Sequence, residues 1–253
     1  MSTKAGQCRA GDSAVATGTS EAGSTVCRTA GRTAVVVQMR LGSSRLPAKA
    51  LLPLASGTLA DAVMERLRGI PAELYILASD HEGCRALYSR AREHGFETLA
   101  GPTDDVLARF VLAIRQFGLG RVIRATGDNP FVSVELANIA VAEADATGAD
   151  YVGLTGMPLG MGVEVVKAEA LVDADSGQAS AYDREHVCPY LYNNPGRYAI
   201  HRPQCPAGYR MPDSKVTVDT IDDYDAAREL VMDLGYNPPD AAILHWLAGR
   251  TAS

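Results

Sequence analysis

The sequence predicts an α/β fold: a mostly parallel sheet with helices on both faces, in one domain. Three observations carry this reading. From Thr33 onward extended and helical segments alternate, the first run, "TAVVVQ", is apolar enough to be a strand buried on both faces, and 47% hydrophobic residues suffice for a sizeable core.

The elements follow in order. "TAVVVQ" (33–38) is a strand. "TLADAVMERLR" (58–68) is a helix, with Leu59, Val63 and Leu67 recurring at i, i+4 and i+8 on one face. "AELYILAS" reads as a strand, residues 81–94 as a helix and "FETLAG" as a short strand. In "DDVLARFVLAIRQFG", Val106, Leu107, Phe110, Val111, Ile114 and Phe117 form one apolar stripe. "RVIRATG" is a strand, "VELANIAVAEADATG" a helix closed by Gly148, and "DYVGLT" extended. From Gly156 to Pro212 the rhythm loosens among Gly, Pro and Tyr residues, as in an insertion or arm. Regularity returns with the strand "KVTVDT", the helix "DDYDAARELVMDLG" capped from Thr220 or Asp222, and a last helix "PDAAILHWLAG". Residues 1–32 are rich in Gly, Ser, Thr and Ala without apolar period, so they are expected to be a disordered tail preceding a 33–253 domain.

A formal charge of −6 argues against nucleic-acid or membrane-surface partners, which a basic field attracts. Five cysteines without a C-x-x-C pair suit a reducing compartment, hence a cytoplasmic protein. No apolar run reaches the roughly 18 residues of a membrane span, and no signal-peptide core is visible at the N-terminus.

Ligands of open α/β sheets bind beyond the carboxyl ends of the strands, and three such ends carry chemistry. The first is "VQMRLGSSRLPAKAL", where Arg40, Arg45 and Lys49 surround Gly42, Ser43 and Ser44 with no acidic residue from Gly31 to Ala60. Small residues let backbone N–H groups approach an anion while the cations supply charge and forked donors, as a triphosphate cradle requires. A solvated basic loop has the same composition. The run is neither a Walker A loop nor G-x-G-x-x-G. The second end, "RATGDNPF", sets Asp128 in a turn between Gly127 and Pro130. The third, "TVDTIDDYDAA", offers Asp219, with Asp222 and Asp223 placed to cap the following helix. Asp128 and Asp219 together suffice for Mg²⁺, which takes one or two carboxylates plus phosphate oxygens and water.

"QMRLGSSRLPAKAL", "GPTDDVLARF", "RATGDNPF", "YDREHVCPYLYNN" and "KVTVDTIDDYDAA" resemble the cytidylyltransferases, in the SpsF-like branch of spore-coat polysaccharide biosynthesis, related to CMP-Kdo and CMP-sialic acid synthetases. The resemblance covers roughly residues 33–235. It implies a Rossmann-like, GT-A-like nucleotidyltransferase fold with a dimerisation arm over 156–212, and transfer of CMP from CTP to an anionic acceptor with loss of pyrophosphate. It further implies that Arg40, Ser43, Arg45 and Lys49 hold the CTP phosphates, that Asp128 and Asp219 bind Mg²⁺, and that Asp105 and Arg109 lie on the nucleotide side. Glu164, Arg184, Glu185 and His186 are then expected near the acceptor. The cations Arg184, Arg197, Arg202 and Arg210 suggest a sugar acid or a phosphonate, and the protein is expected to be a homodimer. A GT-A glycosyltransferase would share the fold and the metal but wants a D-x-D motif, which "GDNP" does not supply. A non-catalytic nucleotide-binding module is the other alternative; loss of Lys49, Asp128 or Asp219 would point to it, and all three are present.

Overall fold

The computed structural model describes residues 31–43 and 45–251. Of the tail read over residues 1–32 only Gly31 and Arg32 are among them, and Ser44 lies outside.

Val35, Val36 and Val37 are wholly buried and side chains alternate across a strand, so β1 (Arg32–Gln38) needs cover on both faces. The chain provides it by crossing over with helices. After a short hairpin of β2 (Pro53–Leu54) and β3 (Gly57–Thr58), α1 (Leu59–Arg68) starts at a capping box: Thr58 accepts from the Asp61 N–H and Asp61 accepts from the Thr58 N–H. β4 (Leu74–Ser79), α2 (His81–Glu93) and β5 (Glu97–Ala100) follow. Then come α3 (Val106–Phe117), β6 (Leu119–Thr126) and α4 (Val134–Thr147), the two helices closed by Gly118 and Gly148 in the left-handed region. The later chain adds β7 (Tyr151–Gly153), β8 (Glu164–Lys167), α5 (Ala168–Ser176), α6 (Ala181–His186), α7 (Pro189–Tyr192), β9 (Ile200–His201), α8 (Ile221–Leu234) and α9 (Asp240–Thr251).

The described residues form a seven-stranded sheet in the order β5-β4-β1-β6-β8-β7-β9. β1 runs parallel to β4 and β6, β4 parallel to β5, and β7 parallel to β9, whereas β8 is antiparallel to both β6 and β7. Val35, Val37 and Ile123 point into one core with α1, α4, α8 and α9. Ala34, Val36 and Val122 point into the other with α3, α5 and α7. Helices on both faces of a mostly parallel sheet are the predicted architecture.

Two local expectations change. The loosened stretch from Gly156 to Pro212 contains β8, which sits inside the sheet, and the helix α5. "KVTVDT" forms no strand: Lys215 makes an isolated bridge to Leu159, the Val216 N–H donates to the Leu159 carbonyl, and the Val218 N–H to that of Asp128. Its alternating buried valines therefore pack as a strand's would, while the backbone bonds are shared between two loops. The helix after it begins as expected, with Thr220 as N-cap and Asp223 reciprocating.

Candidate active site

Beyond Gln38 the chain leaves β1 and wraps across the carboxyl end of the sheet. Met39 turns inward and packs on Gly127, where a Cβ would lie 2.6 Å from the Met39 side chain, so only glycine fits there. The Ala48 N–H closes the loop on the Leu41 carbonyl, Ala48 itself adopts φ 52°, and a 3₁₀ turn starts at Lys49. That turn aims the Lys49 ammonium at Asp128, just past the end of β6, and at Asp219, just before α8. It donates to the Val218 carbonyl at 2.7 Å and lies 3.1 Å from Asp219 Oδ1 and 3.4 Å from Asp128 Oδ2. Arg45 reaches the same Asp219 oxygen at 3.1 Å. Asp219 is steadied from behind, because its backbone N–H donates to Asp223, whose carboxylate also pairs with Lys215. Burial opposes ionisation of Asp223, but the Lys215 ammonium and the backbone donors outweigh it, so its pKa falls.

The opposite wall is α6, capped by Ser180 and Asp183. Glu185 on it pairs with Arg40 at 3.2 Å across the mouth of the cleft. His186 lines the cleft and packs against Tyr182, the rings tilted at 51° with centres 4.3 Å apart. Arg184 turns away: one nitrogen lies 2.5 Å from Asp105 Oδ2 and 3.1 Å from Asp175, and these bonds raise its pKa. Asp105 meanwhile caps α3 through the Ala108 N–H, so the Arg184–Asp105 pair fastens α6 to the start of α3. The next residue past α6, Val187, is fully buried at φ 72°, a costly conformation for a β-branched side chain that fixes where the helix stops.

Arg109, from α3, reaches the cleft although the residue is only 1% exposed. Gly101 makes room for it, since a Cβ there would lie 2.6 Å from Arg109 Cγ. The sole hydrogen bond of its side chain among the described residues is a long one, 3.4 Å to the Ala78 carbonyl, and its Nε is buried without a partner. Burial pushes its pKa down.

The floor is made by β1 and β6. Arg124 donates from Nε to Gln38 Oε1 at 3.0 Å and pairs with Glu164, its direct neighbour on β8; Glu164 also accepts from the Tyr151 hydroxyl at 2.7 Å. Burial disfavours the Arg124 cation, but Glu164 outweighs it and the net shift is upward; burial and the same carboxylate raise Tyr151.

These groups enclose a cleft of about 320 Å³. Of the residues singled out from the sequence, it brings together Arg40, Ser43, Arg45, Lys49, Asp128 and Asp219 with Arg109, Glu185 and His186. Gly42 is exposed beside it, and Asp105, Glu164 and Arg184 stand behind its walls. Gln38, Arg124 and Thr126 also line it, and sequence reasoning passed over them. Their signal was polar side chains at alternate positions near the ends of two otherwise apolar strands, each needing a partner.

The mostly parallel sheet carries a basic loop and two carboxylates on one side of the cleft, and the solved structures it resembles share its fold. A cytidylyltransferase from Leptospira borgpetersenii superposes with a TM-score of 0.77 at 20% identity, covering 87% of this chain and 95% of its own. CMP:2-keto-3-deoxy-manno-octonic acid synthetase complexed with CTP superposes with a TM-score of 0.63 at 15% identity, covering 80% of this chain and 99% of that one. At the level of sequence, the spore coat polysaccharide biosynthesis protein SpsF of Bacillus subtilis is 35% identical over 214 residues, 82% of this chain and 89% of SpsF. The family model described as Cytidylyltransferase matches residues 34–238. The chain belongs to the cytidylyltransferase family, and within it to the SpsF-like branch. It is a nucleotidyltransferase, and no helix among the described residues is long and apolar enough to cross a membrane.

Proposed function

We propose that the protein transfers CMP from CTP to a small anionic acceptor, a sugar acid or a phosphonate, with Mg²⁺ and with release of pyrophosphate. The observation that carries this reading is the convergence of Asp128 and Asp219 on the single ammonium of Lys49 beneath the basic loop. Two carboxylates that meet at one cation are a donor set that suits Mg²⁺ completed by phosphate oxygens and water. Bound there, the ion would offset charge on the phosphates.

The chain's own groups divide the remaining work. Arg40, Ser43 and Arg45, with Ser44 beside them in sequence, hold the triphosphate, and Lys49 faces the charge that grows on departing pyrophosphate. Arg109 meets the nucleotide from α3. The acceptor enters on the side of His186, and its oxygen attacks the α-phosphorus while the P–O bond to pyrophosphate breaks. Catalysis is then alignment plus electrostatic stabilisation. An ionised acceptor oxygen needs no base; a hydroxyl would pass its proton to one, and His186 on that wall is the candidate. In this reading the protein works in the cytoplasm as a homodimer, with Leu159 and Tyr182 of the 156–212 stretch exposed at 63% and 61% as contact surface.

The test incubates the protein with CTP, Mg²⁺ and inorganic pyrophosphatase across 3-deoxy-sugar acids, sialic-type acids and simple phosphonates, and measures phosphate. Release with an acid acceptor and CTP is expected. Activation of only a neutral sugar or a sugar 1-phosphate, or clear preference for another nucleotide, would reject the reading.

A further inference from the structure

We infer that Gln38, Arg124 and Thr126, on the floor of the cleft, form the seat of the acceptor's acid group. This rests on the cytidylyl-transfer reading and deepens it by assigning the acceptor's carboxylate or phosphonate to three residues.

The argument is a count of donors and acceptors. Gln38 and Thr126 are register partners on β1 and β6, and Arg124 sits two residues before Thr126 on the same face. Gln38 Oε1 accepts from Arg124 Nε, which fixes the amide with its NH₂ outward; that NH₂ has no acceptor among the described residues. Arg124 uses Nε on Gln38 and Nη1 on Glu164, leaving Nη2 without one. Thr126 Oγ1 accepts from the Asn129 amide at 2.8 Å, so its own proton remains to be given. The buried side-chain atoms without partners among the described residues are Ser79 Oγ and Arg109 Nε, and all three floor residues line the cleft. The free donors therefore open into it.

A patch whose two acceptor oxygens are already hydrogen-bonded, and which keeps three donors without a partner among the described residues, favours a group that accepts. A carboxylate or phosphonate has lone pairs for all three donors and a charge for the Arg124 guanidinium, whereas a neutral sugar hydroxyl brings no charge to it. The geometry is set in advance, because Glu164 and Gln38 hold the guanidinium on two sides and Glu164 is itself held by Tyr151. Two of the cations expected for this task from the sequence are engaged elsewhere: Arg184 by Asp105 and Asp175, and Arg197 by Asp173 in two hydrogen bonds.

The experiment is calorimetric titration of methylphosphonate into the full-length protein, without added metal so that nothing turns over, in the absence and the presence of saturating CTP. Gln38→Glu is the discriminating variant, since it keeps the oxygen that Arg124 needs but turns the free donor into an anion; Arg124→Lys keeps the charge opposite Glu164 but loses the fork. Wild type is expected to bind methylphosphonate with CTP present, and each variant to bind it at least about tenfold more weakly, with CTP affinity within about twofold of wild type. No binding of methylphosphonate by wild type overturns the inference, as does unchanged binding in a folded Gln38→Glu protein. Binding abolished by CTP would assign the patch to the nucleotide and overturn it too. Failure of wild type to bind CTP even when Mg²⁺ is added would instead reject the cytidylyl-transfer reading, while the methylphosphonate titration without CTP still reports on the seat.

Discussion

The Lys49 ammonium lies 3.1 Å from the Asp219 carboxylate and is only 13% exposed, so a charge from the loop after β1 is committed to a residue 170 positions later. Asp128 shares the same ammonium. Two carboxylates from separate chain segments held on one cation are a centre where charge can be exchanged when a triphosphate arrives. Asp128→Asn and Asp219→Asn should each lower kcat by about 10³-fold or more, and EDTA should abolish wild-type turnover. Both side chains are more than a quarter exposed, so thermal midpoints should change little. Full activity after EDTA treatment would exclude the metal.

Arg45 and Lys49 hold the same Asp219 oxygen, yet the side chain of Arg45 is 65% exposed. A screened group at the rim steers and binds, whereas an enclosed one acts on the reacting charge. Arg45→Ala should therefore raise the KM for CTP, by about tenfold, with a smaller change in kcat. Lys49→Ala should depress kcat by about 10²-fold or more. Steady-state kinetics on both variants, with unchanged values in each, would reduce the loop to a solvated basic surface.

The Arg40–Glu185 pair spans the mouth of the cleft, and both partners are more than a third exposed. Such pairs contribute about 0–1 kcal/mol. A triphosphate claiming Arg40 must displace Glu185, so Glu185→Gln should tighten CTP binding by up to about fivefold, and less at high salt. Weaker CTP binding in this variant would mean that Glu185 works with the nucleotide instead of against it.

What the sequence could and could not disclose follows from the range of the forces involved. α3 was legible because its stripe, caps and length are local, and the cleft-lining charges of "RLGSSRLPAK" and "GDNP" were legible because each follows a buried strand; Asp219 of "VDT" also lines the cleft, although no strand leads directly into it. β8 was not: four residues, flanked by a Gly- and Pro-rich run, become a strand only because β6 and β7 offer edges on both sides. "KVTVDT" misled for the complementary reason, since its buried valines imitate a strand while no partner strand is present to receive it. Arg184 looked like an acceptor ligand because charge type is visible in a sequence and its neutralisation by Asp105, 79 residues away, is not.

β1 starts at Arg32, one residue inside the stretch expected to be a tail: the Arg32 N–H donates to the Gly118 carbonyl and its guanidinium to the Phe117 carbonyl. A protein lacking residues 1–30 should keep its activity and thermal midpoint. Removing Gly31 and Arg32 as well should lower the midpoint, because it opens the first pairing of β1 with β6. Loss of activity on removing residues 1–30 alone would show that they contribute to the enzyme.

Arg109 sets function against stability most sharply. The residue is 1% exposed, its Nε has no partner, and one long bond to the Ala78 carbonyl is the sole hydrogen bond its guanidinium makes among the described residues. A guanidinium held in this way is costly to the fold, and its lowered pKa, caused by burial, has the same origin. If the compensation comes from the nucleotide, Arg109→Met, similar in length and apolar, should leave the thermal midpoint of the free protein unchanged or raise it. CTP affinity should fall at least about tenfold, and the rise in midpoint that CTP gives wild type should shrink with it. Calorimetric titration and thermal melts with and without CTP measure all three. A lower midpoint together with unaltered CTP binding would make Arg109 a structural residue of α3 and remove it from the site.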